Sequence, residues 1–302
     1  MWVKYLMNAN NRNAFPIIVM TRNEGADLQR CVDSILHTVS IDVHIYIIDN
    51  NSDDLSHIQI LANLEDLNRK NLTVIRNTKN LWILGVNNTL LKIKKNHDTK
   101  YFILTDGDID FHGFKEESCW LTYLINKMES NMIIGKLGIS LDWSFLASKT
   151  EMKDIYRQEQ NLYNERRKIG DLYISAVDTT VAIYRWDWSI ERKALFYPDH
   201  MRYLRPELYS CRTKRGLTVE HLGWYRYLDN SLSTQSINSK VFCFTIVGGT
   251  VKPEVLKLAS KPYQYFHILF SKPFAMLWYF RRYFKLFIYF ITKGRRGFDG
   301  QS

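Results

Sequence analysis

The stretch Tyr101-Phe-Ile-Leu-Thr-Asp-Gly-Asp-Ile-Asp110 decides how this chain is read. Its opening apolar run, Tyr101 to Leu104, is that of a buried strand. The run stops abruptly at Asp106-Gly107-Asp108. Carboxylates crowded at the end of a buried strand repel one another unless a positive charge lies between them. Mg2+ or Mn2+ suits that place, because hard cations take oxygen ligands and bridge protein carboxylates to substrate phosphates. Gly107 lets the backbone come close to a ligand. By itself the triplet reads more readily as a solvated turn than as a site, since Asp and Gly are ordinary turn formers. The surrounding sequence decides between the two.

Upstream, strand and helix patterns alternate. Phe15 to Thr21 reads as a buried strand and Asp27 to Thr38 as a helix, with Leu28, Cys31, Val32, Ile35 and Leu36 at helical spacing. Val43 to Asp49 is a second strand. Leu55 to Leu67 is a helix with Ile58, Leu61 and Leu64 inward. Leu72 to Ile75 is a third strand, Ile83 to Lys95 a helix, and Tyr101 to Thr105 the fourth strand. Such alternation predicts a mostly parallel, Rossmann-like α/β sheet with helices on both faces. Ligands of these sheets bind beyond the carboxyl ends of the strands. Three polar clusters fall on that edge: Thr21-Arg22-Asn23-Glu24, Asp49-Asn50-Asn51-Ser52 and Asp106-Gly107-Asp108. Their convergence favours a site over a turn. Neither GxGxxG after the first strand nor GxxxxGK[ST] is present, so phosphate is to be held by metal and side chains rather than by a glycine-rich loop.

Later patterns are less regular. Met132 to Leu141 reads as a strand, Met152 to Ile169 as an exposed helix or lid, and Tyr173 to Tyr184 as the strongest late strand. Asp178 lies inside that last run, where an acid needs either a partner such as Thr179 or Thr180, or a catalytic purpose.

A length of 302 residues, 46% hydrophobic and 24% charged, fits one large globular domain with an appendage. Cys31, Cys119, Cys211 and Cys243 form no CxxC pair, which argues against zinc and against a disulfide scaffold, and favours a reducing compartment. The N-terminus has no signal-peptide pattern. The net charge of +10 is uneven: Lys252 to Ser302 hold ten Lys or Arg against Glu254 and Asp299, leaving +2 for the rest. A nucleic-acid partner would want a basic face on the main domain, so none is expected.

With these elements in order, the chain resembles a family 2 glycosyltransferase of the GT-A fold, bacterial type, over residues 15 to about 226. Pro16 to Asn23 resembles the opening strand and Thr-x-Asn loop. Ile47 to Asp54 resembles the second strand and its acidic loop, Asp106-Gly107-Asp108 the Asp-x-Asp motif, and Val219 to Tyr225 the late segment with a metal-facing His. The resemblance implies a nucleotide-sugar donor, a UDP-sugar first, a divalent metal (Mn2+ or Mg2+), and inversion at the anomeric carbon. It implies that Thr21 and Asn23 border the nucleotide and that Asp49 and Asn50 contact uracil or ribose. Asp106 would face ribose and metal, Asp108 would bind the metal, and His221 would be a further metal or phosphate contact; otherwise His221 is an ordinary core histidine. The chain departs from the family at Asn51, where Gly is usual, and has no Glu-Asp pair between Arg185 and His221 to supply the base. Sugar transfer needs a carboxylate to take the acceptor proton. Asp178 is the first candidate, Glu207 the second and Asp199 the third.

Tyr263 to Phe298 contains 14 of the chain's 42 aromatic residues. Pro273 reads as the first turn of a helix. Leu277, Phe280, Phe284, Phe287 and Ile291 follow on one face, Arg282, Lys285 and Arg296 on another, with Arg281 interrupting any long spanning run. This pattern predicts an amphipathic helix on an anionic membrane surface, or one docked on protein. The expected organisation is an extension over 1–14, a catalytic domain over 15–250 and a basic aromatic tail over 251–302. A cytoplasmic, peripheral enzyme acting on a glycan or lipid-linked acceptor in envelope polysaccharide or lipopolysaccharide synthesis follows. The alternative is a non-catalytic nucleotide-sugar or glycan-binding scaffold of a membrane assembly.

Overall fold

The computed structural model describes residues 12–80, 86–177, 180–186, 208–226 and 234–293. Contacts group them into two compact units, one within 12–224 and one within 225–293.

The first unit begins with strand β1 (Phe15–Thr21), helix α1 (Ala26–Thr38), β2 (Val43–Asp49), α2 (Leu55–Asp66), β3 (Leu72–Arg76), α3 (Asn87–Asn96) and β4 (Tyr101–Asp106). Each of β1, β2 and β4 is almost wholly buried, which is why their sequences read as apolar runs without alternation. The four strands are parallel in the order β3-β2-β1-β4. Strand order reverses between β1 and β4, and such a switch point opens a crevice at the carboxyl ends.

Beyond β4 come the two-residue strand β5 (Ile109–Asp110), helix α4 (Trp120–Ser130), β6 (Ile134–Gly138), β7 (Ser140–Leu141), short helices α5 (Ser144–Ser148) and α6 (Lys153–Gln160), β8 (Lys168–Ile169), β9 (Leu172–Ile174) and β10 (Val181–Arg185). Strands β11 (Tyr209–Arg212) and β12 (Thr218–His221) and helix α7 (Gly223–Arg226) follow. The main sheet continues β4-β10-β6-β11-β9-β8, with β10 antiparallel to both β4 and β6. A second sheet, β5-β12-β7, stands at the active edge.

Three sequence expectations change here, one of them at Met152 to Ile169, which holds helix α6 only over Lys153–Gln160, buries Met152 and Tyr163, and ends in strand β8. The run Tyr173 to Tyr184 is not one strand: β9 pairs with β11, and β10 lies between β4 and β6. A β-branched run marks strand propensity but not the point at which the chain changes partners. Likewise Met132 to Leu141 divides into β6 and β7, which join different sheets.

The second unit holds α8 (Thr234–Ile246), α9 (Pro253–Leu258) and α10 (Lys261–Lys293). Ile237, Val241, Val251 and Ala259 form its core. The Trp278 indole donates to the Ile246 carbonyl at 2.5 Å, and Thr245 Oγ1 lies 2.8 Å from His267 Nδ1. Because α8 packs on α10, the compact unit starts at Tyr225. Pro273 lies inside α10 rather than at its start; the helix continues through it although proline supplies no N–H to the ladder. Its outward face is apolar: Ile268, Leu269, Leu277, Phe280, Phe284, Phe287 and Ile291 are all more than half exposed. No helix among the described residues is long and apolar enough to cross a membrane.

Candidate active site

The ends of β1, β2, β3 and β4 enclose a cleft of about 220 Å3. Met20, Ile48 and Val86 give it an apolar lining, and Thr21, Arg22, Glu24, Asn50, Asn77, Asn80 and Asp106 a polar one. The loops after β1 and β2 are tied together around it. Asn23, at φ 56°, donates from its side-chain amide to Asp53 and accepts through Oδ1 from the main-chain N–H groups of Asp53 and Asp54. This hydrogen bond from Asn23, aided by Arg22, holds the Asp53 carboxyl below its usual range. Asp49, 4% exposed, accepts from the Ser52 N–H and hydroxyl. Asn51 has φ 61°. Asn is the non-glycine residue that tolerates that left-handed region, so its place in a loop where the family has Gly preserves the backbone.

Beneath the loops lies His57, fully buried on α2. Its Nδ1 accepts from the Gly25 N–H at 3.1 Å, so the neutral ring carries its proton on Nε2. Nε2 is 3.3 Å from Thr21 Oγ1, and the Thr21 hydroxyl donates to Glu24 Oε2 at 2.6 Å. A histidine four residues before Leu61 and seven before Leu64 offered no sequence signal beyond its place on the same helix face.

At the end of β4 three ligand-type side chains converge. One ligand atom each from Asp106, Asp108 and His221 lie within 4.8 Å of one another. Ligands at about 2.1 Å from one hard cation lie at most about 4.2 Å apart, so small side-chain rotations that draw these groups together would seat them on one ion. His221 Nδ1 is buried and makes no hydrogen bond among the described residues, and the ring stacks on Trp224 at 5.0 Å. The β5–β12 pairing sets His221 opposite Ile109, and the Leu222 N–H donates to the Asp108 carbonyl at 2.8 Å. Glycine leaves room for the site side chains on both sides. A Cβ on Gly107 would stand 3.0 Å from Thr21 Oγ1 and closer still to Glu24, and one on Gly223 would stand 2.8 Å from His221 Cε1 and closer still to Asp108 Oδ2. The donor set, two carboxylates and an imidazole, fits a divalent cation.

The family model for glycosyl transferase family 2 matches residues 17–182, more than half of the chain. The chain belongs to glycosyl transferase family 2. Its sheet, four parallel strands continued by an antiparallel β10, is the GT-A fold of that family. The matched span contains Asp106 and Asp108 but stops before His221. Among solved structures, the chain is similar to GalNAc-T7 with UDP, GalNAc and Mn2+, at 13% identity and a TM-score of 0.48, over 78% of this chain and 48% of that one. The chain thus spans about half the length of GalNAc-T7. It is also similar to the mannosyltransferase PcManGT from Pyrobaculum calidifontis in complex with GDP-Man and Mn2+, at 12% identity and TM-score 0.45, over 96% and 78% of the two chains. A third similar structure is S. aureus TarS 1-349 in complex with UDP-GlcNAc, at 14% identity and TM-score 0.41, over 86% and 74%. No curated protein matches.

Of the residues singled out in the sequence of this family 2 member, Thr21, Asn50 and Asp106 line the cleft, and Asp106 also joins Asp108 and His221. Asp49 lies under the second loop, with its carboxylate bound to Ser52, and Asn23 braces the two loops. Asp178, Glu207 and Asp199 lie outside the described residues. Arg22 and Glu24 belong to the first polar cluster but carried no assigned role, and His57, Asn77 and Gly223 are neighbours of the site that sequence patterns did not single out.

Proposed function

We propose that this chain is a metal-dependent, inverting glycosyltransferase that moves a sugar from a nucleoside-diphosphate donor, a UDP-sugar first, to a glycan or lipid-linked acceptor. One observation carries the reading: Asp106 belongs both to the cleft and to the triad with Asp108 and His221. A nucleotide in the cleft would thus present its diphosphate to the same carboxylates that hold the ion. When bound, Mn2+ or Mg2+ supplies positive charge against the departing diphosphate.

The protein's own groups do the rest. Met20, Ile48 and Val86 offer an apolar surface to a flat base, and the Asn50 and Asn77 side-chain amides offer hydrogen-bonding groups to its edge. Arg22 adds a cation at the lip. Thr21, bound to Glu24, and Asn23 and Asp49, bound within the loops, keep the donor side in shape before a ligand arrives. Asp178 takes the proton of the acceptor hydroxyl, with Glu207 and then Asp199 as alternatives. The exposed apolar face of α10 and the basic tail rest on an anionic membrane surface through residues 263–298, at the cytoplasmic side, where envelope polysaccharide or lipopolysaccharide precursors are met.

The test is donor hydrolysis and Mn2+ binding across a panel of nucleotide sugars. Metal-dependent hydrolysis of one donor, abolished by chelation and in Asp108→Ala, is expected; an Asp178→Asn protein should bind metal and donor but lose transfer. Absence of any donor binding with or without Mn2+ would leave a non-catalytic scaffold as the better description.

A further inference from the structure

Asp110 and Glu220 stand directly opposite each other in the antiparallel pair β5–β12, one rung from Ile109 and His221. Like charges at opposing positions push a strand pair apart. Arg30, reaching over from α1, meets both carboxylates: its Nε donates to Asp110 Oδ2 at 2.5 Å and an Nη donates to Glu220 Oε2 at 3.0 Å. The other group on Asp110 is His112, whose N–H donates to Oδ1 at 2.9 Å and whose Nδ1 lies 2.7 Å from the same oxygen. Asp110 is only 3% exposed. Burial acts to raise its carboxyl, and the His112 N–H and the Arg30 guanidinium together outweigh burial and hold it below its ordinary value. The hydrogen bond to Asp110 in turn raises Arg30, with Glu220 and Asp27 adding to the effect.

The register of this pair sets where the ligands sit. Asp108 immediately precedes β5, and His221 is the last residue of β12. We infer that Arg30 is a positioning residue for the Asp106–Asp108–His221 triad: it cancels the Asp110–Glu220 repulsion and so locks the β5–β12 register that holds Asp108 and His221 at metal-binding distance. The inference rests on the metal-binding reading above. Arg30 touches neither donor nor ion; it acts through two carboxylates one rung away from the ligands.

The experiment is Mn2+ titration of the full chain by electron paramagnetic resonance without donor, with thermal melting in parallel, on wild type, Arg30→Met, Arg30→Lys and the double variant Arg30→Met/Glu220→Gln. Arg30→Met is expected to weaken Mn2+ binding about 10- to 100-fold, the usual cost of losing a supporting group around a metal site. Arg30→Lys should retain most of the affinity, and the double variant, which removes the repulsion itself, should bind more tightly than Arg30→Met. Wild-type affinity in Arg30→Met overturns the inference. If Arg30→Met does not fold, the double variant decides: a folded double variant with near wild-type affinity supports the inference, and one with weak affinity overturns it. A wild-type chain that binds no Mn2+ overturns the metal reading instead, which separates the two failures.

Discussion

Replacing Gly223 by alanine adds one methyl group at the first position of α7, and the structure says where it goes. The new Cβ would lie 2.8 Å from His221 Cε1, against an ordinary contact of 3.4 Å or more, so the imidazole has to retreat by about 0.6 Å and the nearer Asp108 carboxylate by more. Metal–ligand distances tolerate about 0.2 Å. A 0.6 Å retreat therefore takes at least one of two ligands out of coordination, and misplacement on the order of 1 Å costs about 100-fold in catalysis. Folding should survive the change with a modest loss of stability. On helix propensity alone alanine is better than glycine by up to about 1 kcal/mol, which offsets part of the roughly 1–3 kcal/mol that overpacking costs. The expected result is a folded protein with a melting temperature modestly below wild type, Mn2+ affinity at least tenfold weaker and turnover about 100-fold lower. Mn2+ titration, donor hydrolysis and thermal melting on one preparation measure all three. Undiminished Mn2+ affinity in Gly223→Ala would refute the placement of the ion between Asp108 and His221.

Two other outcomes follow from groups away from the triad. Burial, with His97 nearby, pushes the His44 imidazole down to about 4 from 6.5, and burial also lowers His97. The unfolded chain therefore takes up protons first as pH falls, so this stability is complete above about pH 6.5 and is lost between there and pH 4, at most about 3 kcal/mol for His44; urea unfolding near pH 7 and near pH 4.5 measures it, and equal stability at both would contradict a buried neutral ring. Phe280, Phe284 and Phe287 are 63%, 65% and 62% exposed. Changing all three to Glu should leave the melting temperature unaltered but cut flotation with anionic vesicles at least about 100-fold, since each buried Phe is worth about 1.5–3 kcal/mol; unaltered flotation would favour a protein partner for α10.

Strands β1 and β2 were legible to the residue, because a strand buried on both faces leaves an unbroken apolar run. Asp106 and Asp108 stood out as carboxylates that end a buried strand, and His221 only through the family resemblance; the three come together because β12, in the second sheet, pairs with β5 just after Asp108, more than 100 positions earlier in the chain. Other features depend on pairings that spacing does not encode. Arg30, Asp110 and Glu220 are brought together across 190 residues. Gly223 matters for what would collide with a methyl group there, and no local pattern shows that. The Tyr173 to Tyr184 run looked continuous because propensity is a property of each residue, whereas the change from β11 to the β4–β6 gap is a property of the sheet. Pro273 looked like a helix start because a proline inside a helix costs about 3 kcal/mol; in α10 the packing of residues on both sides of it against α8 carries that cost.

The insertion of β10 between β4 and β6 also fixes an order of events on the ribosome. Until Val181 to Arg185 have emerged, one whole edge of β4, the strand that carries Asp106, has no hydrogen-bonding neighbour. At synthesis rates of about 5–20 residues per second, the stretch from Asp106 to Arg185 keeps that edge waiting for roughly 4–16 s. An apolar strand edge left open for that long is a template for pairing with another nascent chain. The reversed strand that covers β4 is therefore also the element that ends this open-edge interval.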